Sequence, residues 1–451
     1  IALAPFPSFS GADSLWIAID RTRVDANESG LTAAVFEACA QPTDSTPGYD
    51  VALFAQQFDQ SGQPVDDPVE LMSIDLNADL WGEFDGPSVH VSNAGLIGVA
   101  TYYRDVDADI AAYLYDPVSG CVSPTIHPTD LPHPMEQEPG FTGHYALRAP
   151  ACIGVADDGS FVVAWLVYDD ALEHVSYVVY NADYTPATEV LMADCEFGFF
   201  DTANCVSYRS MNVSMDIESD GDFYLAWYGH SWGGRADGVY MRGFYADGTP
   251  KYAAINVAES DQLNMHPADG IHPRLTCNDS GNVLVVWSDA RFVLEYAGPQ
   301  AAERALFAQK IDPQGNLVGH NYRIDDPGGR IDQYGWYADA DLNNAGQTVV
   351  TWKNHDLDHT IRAQLMPYHS IGSFVPGDIN YDLESSISDL VALIDYMFMS
   401  VPNSFWPPSL LDFDGNNSNG DISDLVYIVD WMFNDGPQPH TPYEGIRPPL
   451  E

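Results

Sequence analysis

Lysine is almost missing from this chain. Only Lys251, Lys310 and Lys353 occur in 451 residues, and 66 acidic residues face 17 basic ones, for a formal net charge of −49. A field of that sign repels nucleic acid and anionic membrane surfaces and attracts cations, calcium above all. It also suits a salty or calcium-rich exterior, and a secreted or cell-surface protein is expected. No apolar run approaches the roughly 18 residues of a membrane span, so no membrane insertion is expected. No CxxC pair occurs among Cys39, Cys121, Cys152, Cys195, Cys205 and Cys277, which argues against a zinc site. An even cysteine count permits disulfides. Cys195 and Cys205, bracketing "CEFGFFDTANC", are the expected bridge. The opening "IALAPFPSFS" lacks a basic n-region and reads as a mature or trimmed N-terminus.

What the chain has in abundance is repetition. "DDGSFVVAW", "SDGDFYLAW", "DSGNVLVVW" and "NAGQTVVTW" each place a Trp six residues after a Gly: Trp165, Trp227, Trp287 and Trp352 after Gly159, Gly221, Gly281 and Gly346. Two weaker copies come first, with Gly95 before Thr101 and Gly30 before Phe36. Successive glycines are 65, 64, 62, 60 and 65 residues apart. Each unit carries up to four strand-like runs rich in Val, Ile, Tyr and Phe, joined by Asx-Gly and Ser-Gly pairs that suit tight hairpins. Four-stranded units at constant period predict an all-β protein, a six-bladed β-propeller over residues 1–372. The Trp slot is expected to pack between blades. The sixth unit stops after its third strand, near "AQLMPYHS". A ring must hide its sheet edges, so residues 1–10 are expected to close it.

The chain ends differently, on a duplicated acidic loop followed by an amphipathic run. "GDINYDLESSISDLVALIDYMF" places Asp378, Asn380, Asp382, Glu384 and Asp389 at positions 1, 3, 5, 7 and 12 of a loop, oxygen ligands at a spacing that wraps Ca²⁺. The second copy offers Asp412, Asp414, Asn416 and Ser418, with its last acid displaced by one residue to Asp424. Apolar residues at helical spacing, Leu390, Leu393, Ile394 and Met397, then Leu425, Ile428, Val429 and Met432, predict two helices that share a small core. The tandem loops, the shared "ISDLV", the ends "DYMF" and "DWMF" and the trailing "NDGPQP" resemble the type I dockerin module of extracellular bacterial proteins. The resemblance covers residues 373–439, with a proline-rich tail over 440–451. It implies bound Ca²⁺ coupled to folding and a cohesin-like partner, or packing against the protein itself.

No nucleophile motif and no phosphate-binding loop is present. The repeats only echo the Asp-box of sialidases, and Arg21, Arg104 and Arg291 do not recur at a constant slot. The net charge opposes an anionic substrate. Asp289, Asp339 and Asp341 read as turn and strand-end residues, and His355 and His359 of "HDLDH" as loop residues. The expectation is therefore a non-enzymatic extracellular platform that assembles with copies of itself, into a filament or surface layer, or with a cohesin-like domain. The alternative is a secreted carbohydrate-active enzyme, a glycoside hydrolase or sialidase-like protein brought to its place by its dockerin.

Overall fold

The computed structural model describes residues 12–16, 23–42, 48–77, 84–104, 108–134, 146–169, 172–195, 209–230, 238–258, 272–289, 305–324, 338–353, 361–368, 387–398, 413–414, 421–434 and 436–437. The repeats form six antiparallel blades. Blade 1 holds β1 (Ala12–Trp16), β2 (Arg23–Ala26), β3 (Thr32–Pro42), β4 (Gly48–Phe58) and β5 (Val69–Asn77); β1 and β2 pair with successive stretches of β3. Blade 2 holds β6 (Phe84–Val91), β7 (Ile97–Arg104), β8 (Ala108–Asp116) and β9 (Cys121–Val122). Blade 3 is β10 (Ala146–Val155), β11 (Phe161–Asp169), β12 (Leu172–Tyr180) and β13 (Leu191–Met192). Blade 4 is β14 (Arg209–Ile217), β15 (Phe223–His230), β16 (Gly238–Phe244) and β17 (Ile255–Asn256), and a single parallel bridge from Glu173 to Arg209 links it to blade 3. Blade 5 is β18 (Arg274–Cys277), β19 (Val283–Asp289), β20 (Ala305–Ile311) and β21 (Leu317–Arg323). Blade 6 has three strands, β22 (Asp339–Leu342), β23 (Gln347–Lys353) and β24 (Ile361–Pro367).

The missing fourth strand of blade 6 is therefore as expected among the described residues. It leaves Ile361 and Leu365 of β24 79% and 73% exposed on an edge. The segment 1–10 expected to cover that edge lies outside the described residues.

The repeated glycines set the register. Each sits at the hairpin between the first and second strand of its blade with φ between 74° and 96°, a backbone that a side chain disfavours. The six turns have one hydrogen-bond pattern, the Gly amide donating to the carbonyl three residues back. Six residues later the second strand places its large side chain between blades. Trp165 packs with Ala100, Ile110 and Ala112 of blade 2, Trp227 with Val162 and Ala164 of blade 3, Trp287 with Tyr224 and Ala226 of blade 4, and Trp352 with Leu284 and Val286 of blade 5. Phe36 and Thr101 fill the same slot, fully buried.

The turns also tie the ring together. The amide of Glu28 donates to Oδ1 of Asn93 at 3.2 Å, and that of Ala94 to Oδ1 of Asp157 at 2.8 Å. Asp157 donates to the Ser219 carbonyl at 3.0 Å, Ser219 to Oδ1 of Asp279 at 2.7 Å, and Asp279 to Oδ1 of Asn344 at 2.8 Å. The Asn344 amide donates to Oε1 of Glu28, so the circle passes through every blade and closes from the sixth to the first. The side chains of Asn27 and Asn278 are spent on turn hydrogen bonds, to Ser92, Ser29 and Leu31 and to Ser280 and Asn282.

The C-terminal residues form α1 (Ile387–Phe398) and α2 (Ile422–Asn434). Leu390, Leu393 and Ile428 are buried together, with Met397, Leu425, Val429 and Met432 against them. Two details differ from expectation. Ile394 is 39% exposed and stands outside this core, whereas Phe413, from the loop before α2, is buried within it. Among the described residues no helix is long and apolar enough to cross a membrane.

Candidate functional site

The first strand of every blade lines the axis. Because strand side chains alternate, every second residue back from the turn faces inward. Five residues before the repeated Gly stand Asp25, His90, Gly154, Asp216, Thr276 and Asp341; seven before it stand Arg23, Ser88, Cys152, Ser214, Arg274 and Asp339. Residues of both layers line a cavity of about 470 Å³. A smaller cavity of about 260 Å³ lies on the turn side and shares Asp25, His90, Asp216 and Asp341 with the first. The axis is narrow there. Nδ2 of Asn93 reaches Oδ2 of Asp279, in the opposite blade, at 3.5 Å. The larger cavity is a cup whose floor is the Asp25–His90–Asp216–Asp341 layer.

The first strands of blades 2, 3 and 4 shift register at the cup, between Asp85 and Ser88, Arg148 and Cys152, and Met211 and Ser214. Such bulges bend the strand locally. Asn212, inside the third of them, has φ 57°, a conformation uncommon for a residue with a side chain.

Most floor groups also bind the next blade. Oδ2 of Asp25 accepts the Val91 amide at 2.6 Å, Oδ2 of Asp216 accepts that of Cys277 at 2.7 Å, and Oγ1 of Thr276 accepts that of Leu342 at 3.0 Å. His90 accepts the Val155 amide on Nδ1 at 3.1 Å, so its neutral ring carries the proton on Nε2, which lies 3.6 Å from Oδ1 of Asp216. Asp341 differs. Among the described residues it makes no hydrogen bond to another blade, and it is open to cavity water.

The floor is electrostatically frustrated. Enclosure by the ring, reinforced by Asp216, lifts the Asp25 carboxyl to about 6. Enclosure together with Asp25 and Asp216 lifts Asp341 to about 7. For His90, burial opposes the imidazolium, but Asp216 and Asp25 outweigh it and the net shift is upward. Taking up that proton on Nδ1 would break the bond from Val155. Cys152, in the layer above, is pushed up to about 11 by burial and is no nucleophile.

Asp339 opens β22, in keeping with a strand-end residue, and Asp341 stands two residues further along the strand. Both line the cup, a place that their reading as turn and strand-end residues does not give them. The signal was available in the spacing back from each glycine. It was hidden because the slot holds a different residue type in every blade. Arg104 and Asp289 are the last residues of β7 and β19, and His355 and His359 lie outside the described residues.

Of the expected calcium ligands, Asp389, Asp414 and Asp424 lie within the described residues; Asp378, Asn380, Asp382, Glu384, Asp412, Asn416 and Ser418 lie outside them. Asp389 and Asp424 take the same place in the first turn of α1 and α2, and both are fully buried. Oδ1 of Asp424 accepts the amides of Phe413 at 2.7 Å and Asp414 at 3.3 Å, and Oδ2 accepts that of Asp421 at 2.9 Å. Burial, with Asp414 alongside, raises its pKa. No Lys, Arg or His occurs anywhere in residues 373–439 to compensate these acids. Buried carboxylates among hard oxygen donors, with no basic side chain in the module, fit a divalent cation.

A second cluster, His174, Asp194 and Cys195, is fully buried, with Nδ1 of His174 2.8 Å from Oδ2 of Asp194. Cys195 is disulfide-bonded and offers no thiolate, so the cluster does not suit a metal. Cys121, Cys152 and Cys277 are free, and Cys205, the expected partner of Cys195, lies outside the described residues.

No protein-family model and no curated protein matches the chain. Several solved structures do. An α-L-arabinanase of Penicillium chrysogenum complexed with arabinobiose is 12% identical, with 78% of this chain and 94% of that one covered and a TM-score of 0.43. The fucose-recognising lectin of Aleuria aurantia, a six-bladed β-propeller, is 11% identical over 76% and 91%, with a TM-score of 0.40. An ulvan lyase of a polysaccharide lyase family is 11% identical over 76% and 77%, with a TM-score of 0.43. At these values the likeness assigns no reaction and no residue roles. The expectation of a non-enzymatic, self-assembling platform is nevertheless corrected. It rested on the lack of a convergent site, and the axial cup supplies one.

Proposed function

We propose that the chain is an extracellular carbohydrate-active enzyme that works in the axial cup. The observation that carries this reading is the floor. Carboxyls from blades 1, 4 and 6 share it, and two of them are held near neutrality, Asp25 at about 6 and Asp341 at about 7. Neighbouring carboxyls pushed apart in acidity can divide the work of general acid and general base. Asp25 and Asp216 are pinned to the next blade, so they hold position and set the field. Asp341, open to the cavity, is the residue that gives or takes the proton. A pKa raised toward neutrality keeps both its protonated and its ionised form within reach, the condition under which one group can do both.

The test is turnover on a panel of polysaccharides by the intact protein and by Asp341→Asn. The asparagine keeps the shape and loses the proton, so kcat is expected to fall at least about a hundredfold with the melting temperature retained. Unchanged turnover in Asp341→Asn, or no binding or turnover of any glycan, overturns the reading.

The C-terminal pair of helices is, on this reading, a dockerin-like module stapled by Ca²⁺. Asp378, Asn380, Asp382, Glu384 and Asp389 would hold one ion, and Asp412, Asp414, Asn416, Ser418 and Asp424 a second. The metal's part there is to neutralise buried carboxylates and so hold loop to helix. Each helix keeps an exposed apolar stripe, Ile387, Val391 and Phe398 on α1 and Ile422, Val426 and Phe433 on α2. Those stripes support a protein partner of the cohesin kind.

A further inference from the structure

Arg274 is out of place in a chain with this charge. Sixty-six acids are available to pair with 14 arginines. Yet among the described residues the Arg274 guanidinium has no hydrogen bond and no ion pair, although it is part-buried and lines the cup. It stands one layer above the carboxyl floor. Its thiol and hydroxyl equivalents in blades 3 and 4 are already committed to the next blade. Oγ of Ser214 accepts the Leu275 amide at 3.0 Å, and Sγ of Cys152 donates to the Val213 carbonyl at 3.3 Å. Ser88, in the blade opposite Arg274, is the exception: its hydroxyl oxygen is buried and has no partner. Arg23 brings a second guanidinium to the same layer from blade 1, and the fields of Arg23 and Arg274 both reach the Cys152 thiol across the cup.

An unpaired guanidinium and an orphaned hydroxyl, facing one ligand-sized cavity from opposite sides, are two vacant recognition groups of different kinds. The guanidinium presents a planar fork of donors matched to an oxyanion. The hydroxyl can serve a sugar OH in either direction. We infer that the substrate of the cup is an acidic glycan, whose carboxylate or sulfate is bound by Arg274, with Arg23 beside it, while a sugar hydroxyl meets Ser88. This rests on the carbohydrate reading above and adds the substrate's charge to it.

The global charge of −49 does not decide the matter. Repulsion from distant surface acids is screened beyond a Debye length of about 8 Å at physiological salt. Contact with an unscreened guanidinium in a recessed site is not. The same arrangement disfavours a neutral glycan, whose approach would leave Arg274 desolvated and without an anion.

The experiment is an array of uronate-containing, sulfated and neutral oligosaccharides on matched backbones, probed with the full-length protein, Arg274→Lys and Arg274→Ala. The acidic forms, carboxylated or sulfated, are expected to bind at least about tenfold more tightly than their neutral counterparts, one charged pair's worth. Arg274→Ala should remove that preference, and Arg274→Lys should keep part of it, with unchanged thermal unfolding in both. Whether the carboxylated or the sulfated arm responds identifies the anion. Equal binding of acidic and neutral forms, or a preference that survives Arg274→Ala, overturns the inference and leaves the carbohydrate reading standing. Binding of no glycan in any arm sinks both.

Discussion

Asp25 and Asp341 hold protons in the fold that they would lose in the unfolded chain. Their ordinary value of 3.8 becomes about 6 and about 7, so between pH 4 and pH 7 the native state binds more protons than the unfolded one. Stability from these two groups is therefore full at the acidic end of that window and declines as pH rises through it. His90, Asp216, Asp339, Arg23 and Arg274 share the cup and set the size of the effect. Surface turns act oppositely. Asp59, Asp158, Asp183 and Asp247 each accept a hydrogen bond from a Ser or Thr two residues on, which lowers their pKa, and that stabilisation is lost only as pH falls below the ordinary carboxylate value. Thermal melting is accordingly expected to peak between about pH 4 and 5. Asp341→Asn should flatten the decline toward pH 7. A melting temperature that rises steadily from pH 4 to 7 in the intact protein would contradict the shifts.

At the scale of the element, the hairpins between first and second strands do two jobs. Each reverses its own blade and donates to the next. Asp279 is the most heavily used link: it accepts from the Ser219 amide and from Nδ2 of Asn344 at 2.6 Å, and it meets Asn93 across the axis. Asp279→Ala would leave the Ser219 amide without its acceptor and open the circle between blades 4 and 5. The contacts are solvent-exposed, so a loss of about 0.5–1.5 kcal/mol is expected, read as a lower denaturant midpoint. Faster hydrogen exchange should be confined to the Ser219 and Asn344 turns. If neither changes, the circle contributes nothing to closure. The hairpins themselves were legible in the sequence, because Asx-Gly at a fixed interval has one economical structure. Their cross-blade partners were not, since no local rule pairs residue 28 with residue 344.

For the whole molecule, ring and helix pair are held by different physics. The ring has large buried side chains between every pair of adjacent blades from the first to the sixth. The helix pair has one small core and two fully buried carboxylates, Asp389 and Asp424. A core of that size needs a further staple. Chelation of calcium is expected to remove a low-temperature unfolding step and the helical signal of the C-terminal module, while the main transition of the ring stays in place. Asp424→Ala, which also orphans the amides of Phe413, Asp414 and Asp421, should do the same without chelator. Helicity indifferent to chelator would mean that Ca²⁺ is not what holds the module.

The sequence by itself determined the period, the number of blades, the interblade tryptophans and the two amphipathic helices. Each of these depends on a local preference repeated at fixed spacing: positive φ for Gly, alternation along strands, and helical periodicity. Only the tertiary structure decided which side chains meet on the axis. Asp25, His90, Asp216, Arg274 and Asp341 are 58 to 316 residues apart, counting from neighbour to neighbour and from Asp25 to Asp341. They converge because six strands pack at one radius. Their acidity and their freedom to bind follow from that convergence, since burial and mutual repulsion exist only once the ring has closed.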